Sequence, residues 1–364
     1  MANESDPFLQ RHWLAITLTV VIVLLGYSAA WFASAALMRV QIAQFIEAQR
    51  NGGIILNTGP LAASGFPGRV HVTIPDIAVA APIVGGGWTW QTKRVSVAAW
   101  PLVWRKLDIE FDGTHRLAGM VTRLDQPVWI TTGKARGHLE LDGGAHLING
   151  VLTAEDTGVA LSEGGEAWLH VKSLRAAGQL LEKPAAPPQG ANPSQPATGR
   201  IELEVREVTL PKDLPVPSAA PLTRAAITAE TTGAWMSGPL PQVLDAWRTS
   251  GGTLEVRDVM LDWAPIHLEG NGTVALDQSL QPMGSFALRL QGGGDVLELM
   301  TRQGSLSQTQ GQVMRAGLSL LSKQNQAGIA ELNVPLTLQD RQFSAGPFPL
   351  GRMMEIGWPR IVVP

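Results

Sequence analysis

The sequence predicts a mainly β protein, a β-rich α+β chain. One N-terminal transmembrane helix is followed by an extended, curved, mostly antiparallel sheet with a few packed helices. Three observations predict it. One octet pattern recurs as VTIPDIAV (72–79), LEVREVTL (203–210) and LEVRDVML (254–261), the last two agreeing at six of eight positions. Short runs of alternating apolar and polar residues, the mark of a strand buried on one face, fill most of the chain. Trp13 to Met38 forms 26 residues without Asp, Glu, Lys or Arg.

The first 50 residues set the topology. A run of this length exceeds the about 20 residues needed to cross a bilayer core. Residues 1–12 form a tail, 13–38 the span and 39–50 a helical stalk. The apolar run extends to Met38 and continues into the stalk, which favours an uncleaved anchor. The competing reading is a signal peptide with an n-region at Arg11-His12 and a small-residue cleavage site at Ala33-Ser34-Ala35. A short tail before the span and a long domain after it place the domain outside. The expected location is a bacterial inner membrane crossed once, with the bulk of the chain periplasmic.

Beyond the stalk, 51–182 reads as a first β-rich lobe. Its strands include Val70–Val79, limited by Pro75 to an edge or bulge, and the clean alternation of Leu107–Asp112. Lys183–Gly199, with five prolines, reads as a linker or long loop. A second lobe, 200–364, carries the two matching octets and further strands at Thr273–Asp277, Ser285–Gln291 and Ile329–Gln339. Glycine-rich turns are expected at Gly143-Gly144, Gly251-Gly252, Gly270-Asn271-Gly272 and Gly292-Gly293-Gly294. Short helices are expected at Pro241–Thr249, at Val296–Gln303 behind an Asp295 cap, and at Gln308–Lys323 with a stripe of Val313, Met314, Leu318 and Leu321.

Within each octet the alternation slips by one residue, at Asp76, Glu207 and Asp258. A bulge or sharp bend at these positions restores the inward set.

Composition excludes several classes of function. A net charge of −3 without basic runs argues against nucleic acid. The absence of cysteine rules out disulfides, thiolate metal sites and a cysteine nucleophile. No nucleophile elbow, zinc-protease helix, phosphate loop or calcium loop is present. His138 and His146, eight residues apart across a turn, form at most half a metal site. Gly85-Gly86-Gly87 lacks the strand-to-helix context of a phosphate cradle. The chain is expected to be no enzyme and to carry no cofactor. Ten of the 12 tryptophans lie beyond the span, with Trp88, Trp90, Trp100 and Trp104 clustered; they suit a sheet core or a membrane-proximal rim.

At Gly65-Phe66-Pro67-Gly68-Arg69 the chain begins to resemble the bacterial envelope family known as domain of unknown function 2125. The resemblance recurs at Leu261-Asp262-Trp263-Ala264-Pro265, Gly270-Asn271-Gly272-Thr273, Leu276-Asp277, Pro282-Met283-Gly284, Val334-Pro335-Leu336 and Phe348-Pro349-Leu350-Gly351. It runs from about residue 12 to 355. Ala264 and Arg341 stand where glycine is more usual. Residues 252–290 also resemble the C-terminal repeats of AsmA-like proteins. That resemblance implies an inner-membrane anchor and a curved sheet with an apolar lipid groove. Leu254, Val256, Val259, Leu261, Phe286, Leu288, Leu290 and Trp263 are the candidate lipid- or groove-facing residues. The same side chains also fit a closed core under helices. The expected partners are the inner membrane, phospholipid or another acyl lipid, and envelope proteins. The first reading is a membrane-anchored protein that binds or passes acyl chains in envelope maintenance. The alternatives are a protein-binding scaffold and, behind it, a hydrolase or transferase.

Overall fold

A computed structural model describes residues 7–81, 87–119, 126–144, 147–185, 197–211, 220–233 and 240–302. It also describes 307–358 except 310, 313–314, 317–321, 325–327, 329, 347 and 357. Helix α1 (Pro7–Asn51) leads into short strands β1 (Ile55–Asn57) and β2 (Ala62–Ser64). Long strands follow: β3 (Val70–Ala81), β4 (Trp88–Trp100), β5 (Val103–Gly119), β6 (Val128–Leu141) and β7 (Leu147–Ala160). Next come β8 (Leu169–Ala185), β9 (Ala197–Thr209) and β10 (Leu222–Thr232). Helix α2 (Leu240–Thr249) precedes β11 (Leu254–Trp263), β12 (Ile266–Leu276) and β13 (Pro282–Gln291). Helix α3 (Gly293–Arg302) precedes β14 (Lys323–Gln324), β15 (Ala330–Gln339), β16 (Gln342–Ala345) and β17 (Phe348–Arg352).

All strands belong to one open antiparallel sheet, so the predicted fold class holds. From β3 to β13 each strand pairs with the next in sequence, and β13 then pairs with β15. Short strands close both ends: β1 and β2 share the outer edge of β3, and β14 and β16 share that of β15. Such short edges leave little ladder for another chain to pair with. Pro75 sits in the gap between β1 and β2, where its missing N–H costs nothing, and its carbonyl accepts from Gly59 N at 2.8 Å. β8 pairs with β9 across the proline-rich stretch, with one register shift between Leu180 and Ala185; residues 186–196 lie outside the described residues.

The register produces a continuous apolar face. Directly opposed residues of antiparallel strands point the same way. One row runs Val72–Val97–Ile109–Gly137–Leu152–Ala176–Leu203 across β3 to β9. It continues as Ile227–Val259–Gly270–Leu288–Val334 across β10 to β15. A parallel row runs from Ile74 through Phe111, Leu174, Val205 and Leu261 to Leu332; a third runs from Leu107 through Leu139, Gly178, Ile201, Val256 and Phe286 to Leu336. None contains a polar or charged side chain. The residues between them form the opposite, polar face, with cross-strand pairs such as Arg136–Glu110 (3.4 Å) and Arg289–Glu269 (3.3 Å).

On each of β3 to β10 the alternation slips once, at nearly the same level. Inward residues lie three apart there, as in Ile74/Ile77, Ala154/Thr157 and Val205/Val208; on β5 Phe111 and His115 are four apart. Alternate strands make the slip with a left-handed residue: Asp76, Asp156 and Glu207 at φ 50° and Gly113 at φ 86°. Asp76 and Glu207 keep their register and are bends. Asp258 belongs instead to a bulge, where Arg257 and Asp258 together face Asn271. Outside this seam, exposed charges alternate by strand: Asp76, Lys93, Asp112, Lys134, Asp156, Lys172 and Glu207. Lys172 Nζ lies 2.9 Å from Glu207.

The expectations for the glycine clusters at 270–272 and 292–294 and for the Asp295 cap need correcting: α3 already begins at Gly293, with Asp295 in its first turn. Gly270-Asn271-Gly272 is not a turn but the middle of β12; the turn before it is Ala264-Pro265, with a cis peptide. Those glycines are in the strand because Leu288 and Phe286 lean over them, and a Cβ at either position would overlap those side chains. The β15–β16 turn is made by Asp340 (φ 50°) and Arg341 (φ 65°), a left-handed pair built without glycine. Gly251-Gly252, by contrast, ends α2 through bonds to Arg248 O and Trp247 O, both 2.9 Å. The expected helices at 241–249 and 296–303 correspond to α2 and α3. For Gln308–Lys323, only 308–309, 311–312 and 315–316 are described as helical; Val313, Met314, Leu318 and Leu321 lie outside the described residues.

Candidate functional site

The second half of α1 lies on the apolar face at its β3 end. Trp31, Ala35 and Met38 are buried against Val70, Val72, Val97 and Ala99, with Ile42, Trp104 and Leu107 around them. Each fully buried aliphatic side chain there contributes about 1.5–3 kcal/mol. Trp31 Nε1 donates to Gly68 O (2.8 Å) and the Tyr27 hydroxyl to Pro67 O, which fixes where the helix leaves the sheet. The N-terminal part of α1 is exposed at Trp13 and from Ala15 to Leu25. Ala15–Asn51 is long and apolar enough to cross a membrane.

The eight predicted groove residues fall on β11 and β13. Seven of them, Leu254, Val256, Val259, Leu261, Phe286, Leu288 and Leu290, share the apolar face through their pairings across β12. Trp263 ends β11 and donates from Nε1 to Ala220 O at 2.8 Å. Val256 is buried and the other seven are half-buried. The most open stretch lies elsewhere, on β5 to β10. There Leu152, Ile201, Leu203 and Ile227 each expose about two-fifths of their surface. The first three line an open cavity of about 590 Å³ with almost wholly apolar walls. Its floor includes Gly137, Gly150, Gly178 and Gly199, and a Cβ at Gly178 would meet nothing within 4 Å. Sequence reasoning missed this stretch, although Leu203 and Val205 stand in the second octet with the same phase as the chosen Leu254 and Val256.

Just beyond the rows, at the seam, the face holds polar atoms without partners: Thr92 Oγ1, His115 Nδ1, Thr132 Oγ1 and Thr157 Oγ1. His115 stacks on Trp90 (6.0 Å) and meets Phe111 edge-on. Burial pushes its pKa down and keeps the ring neutral.

The ionisable clusters sit on the other face. Asp108 accepts from His138 and Arg69; burial pushes its pKa up, but these bonds outweigh burial and lower it. Glu230 is clamped by Arg200 (2.9 Å) and Arg257 (2.7 Å), which lower its pKa against the effect of burial. His267 bonds Asp262 and Glu269 (3.0 Å), and its pKa is raised despite burial. These are cross-strand ladders on a sheet surface. Among the described residues no group of three or more His, Asp or Glu could hold a metal ion. His146 and Gly85-Gly86 lie outside the described residues.

Of the clustered tryptophans, Trp90 and Trp104 pack into the apolar face, as a sheet core requires, while Trp100 is exposed at the β4–β5 tip. No curated protein matches the sequence significantly. Residues 31–353 match the family described as uncharacterised proteins conserved in bacteria (DUF2125). That match spans α1 from Trp31 through the whole apolar face to β17, and the chain belongs to that family.

Proposed function

We propose that the protein is anchored in a bacterial inner membrane by α1 and holds acyl chains of phospholipid or a related lipid on its apolar face, on the periplasmic side. The observation that carries this reading is the open stretch across β5 to β10. Leu152, Ile201, Leu203 and Ile227 stand exposed there among glycines and alanines, in rows without a polar side chain, beside a cavity of about 590 Å³. An exposed contiguous apolar surface of this kind marks a binding site for apolar partners. Each methylene taken from water contributes about 0.8 kcal/mol, so a single acyl chain supplies the affinity without any hydrogen bond. Rows free of polar side chains also let a chain slide, because no position along them is fixed by a directional contact. This design is what the resemblance of residues 252–290 to AsmA-like repeats implies, and it suits a role in envelope maintenance.

The test places a photoreactive benzoylphenylalanine in the full chain in cells. At Leu203, on the apolar face, it should yield lipid adducts by mass spectrometry. At Arg206, on the polar face and away from the cavity, it should yield none. Protein adducts alone at Leu203 would favour a protein-binding scaffold and overturn the lipid reading.

A further inference from the structure

We infer that the rim of the sheet formed by the β2–β3 loop and the β4–β5 tip dips into the outer leaflet of the membrane that α1 spans, so that the apolar face begins inside the lipid. The inference rests on the reading of α1 as a membrane span and deepens the lipid-binding proposal by giving the site its point of entry. About 20 residues cross a hydrocarbon core of about 30 Å at 1.5 Å per residue. Counted from Trp13, just after Arg11 and His12, the part of the 13–38 run needed to cross ends at Phe32, and Ala35 and Met38 beyond it pack on the sheet. Phe32 is 60% exposed and stacks on Phe66 of the β2–β3 loop at 5.5 Å. The loop is locked to the helix at this height by the Tyr27–Pro67 and Trp31–Gly68 hydrogen bonds. The rim therefore stands where the hydrocarbon ends.

The neighbouring hairpin tip has the matching chemistry. Ala99 pairs with Val70 and Trp100 with Val103, so the tip projects from the same rim. Leu102 is 72% exposed and Trp100 57% exposed, and Val103 is also exposed. Leu102 is held at the apex by a left-handed φ of 65°. Behind the tip come exposed Arg105 and Lys106, the order expected where apolar side chains enter the leaflet and cations meet headgroup phosphates. The cavity reaches the same rim: Leu147 begins β7 and Leu180 lies near the end of β8, both lining it and both exposed. An acyl chain can thus move from leaflet to face without crossing water.

The chain has no cysteine, which permits single-cysteine variants of the full protein. Spin labels at Ile22, Leu102 and Thr153 would be compared in vesicles of phosphatidylethanolamine and phosphatidylglycerol. Exposure to oxygen and to a water-soluble nickel chelate is measured by power saturation. The expected result is that Ile22 and Leu102 are both open to oxygen and shielded from nickel, while Thr153 on the polar face shows the reverse. A nickel-accessible Leu102 with a shielded Ile22 overturns the inserted rim and leaves the span standing. A nickel-accessible Ile22 overturns both.

Discussion

Replacing Gly178 by tryptophan fills the open stretch of the apolar face without disturbing the sheet beneath. Gly178 lies on β8 between Gly150 and Ile201, in ordinary strand conformation, with empty space where a Cβ would stand. An aromatic residue also suits a strand better than glycine, so Gly178→Trp should hold or raise stability by up to about 1 kcal/mol. An indole offers roughly 150–250 Å² of surface. If about 100 Å² displaces acyl-chain contact at roughly 25 cal/mol/Å², binding weakens by about 2.5 kcal/mol, close to 70-fold in Kd. Displacement of fluorescent palmitate from the purified full chain measures this, with Arg175→Trp on the polar face as the control. A folded Gly178→Trp protein that binds within about twofold of the parent would refute the argument, because contact along that row would then carry no affinity.

Three further outcomes test the architecture. Glu230→Gln should cost about 1–2 kcal/mol at neutral pH by thermal unfolding, less than the ~3–5 of a fully buried pair because both arginines keep water contact. Its folded pKa is depressed, so this contribution is present above the unfolded value near about 4.3 and fades as pH falls through the folded one. His267→Gln should show the opposite trend. A raised pKa means stability that is full below about pH 6.5 and lost as pH rises through the folded value, so the difference in Tm should shrink in alkali. Asp156→Gly should raise stability by about 0.5–1 kcal/mol, whereas Asp156→Val should lower it by about 1–2 kcal/mol, because a branched side chain resists φ 50°. Equal Tm values for the two Asp156 variants would remove the left-handed bend from the account.

The octets carried real information in their phase. Ile74/Ile77 and Val205/Val208 announce a slip in alternation that the backbone makes with a left-handed Asp or Glu. The same slip on β5 to β7 was not legible, because there one flanking inward residue is His115, Thr132 or Thr157, which breaks the apolar pattern. Gly270 and Gly272 were misread for a similar reason: in one dimension a glycine pair signals a turn, and only the facing Phe286 and Leu288 reveal a packing requirement. The candidate face was found on β11 and β13 because its side chains there are large. The more open stretch escaped notice because its rows mix leucine with glycine and alanine, and only register joins Leu152, Ala176 and Leu203 into one surface.

The strictly sequential pairing of β3 to β13 also bears on how the molecule comes into being. A strand leaving the ribosome or a translocation channel finds its partner already in place, as the strand made immediately before it. No long loop must close, and no edge waits for a distant segment, so local contacts dominate and growth proceeds from one side. The helix that reads as the anchor is made first and packs on the first long strands. It gives the growing sheet a fixed starting edge, and the short β16 and β17 then end the growth. A family built this way can lengthen its surface by one hairpin, about 9.5 Å, without altering anything already assembled.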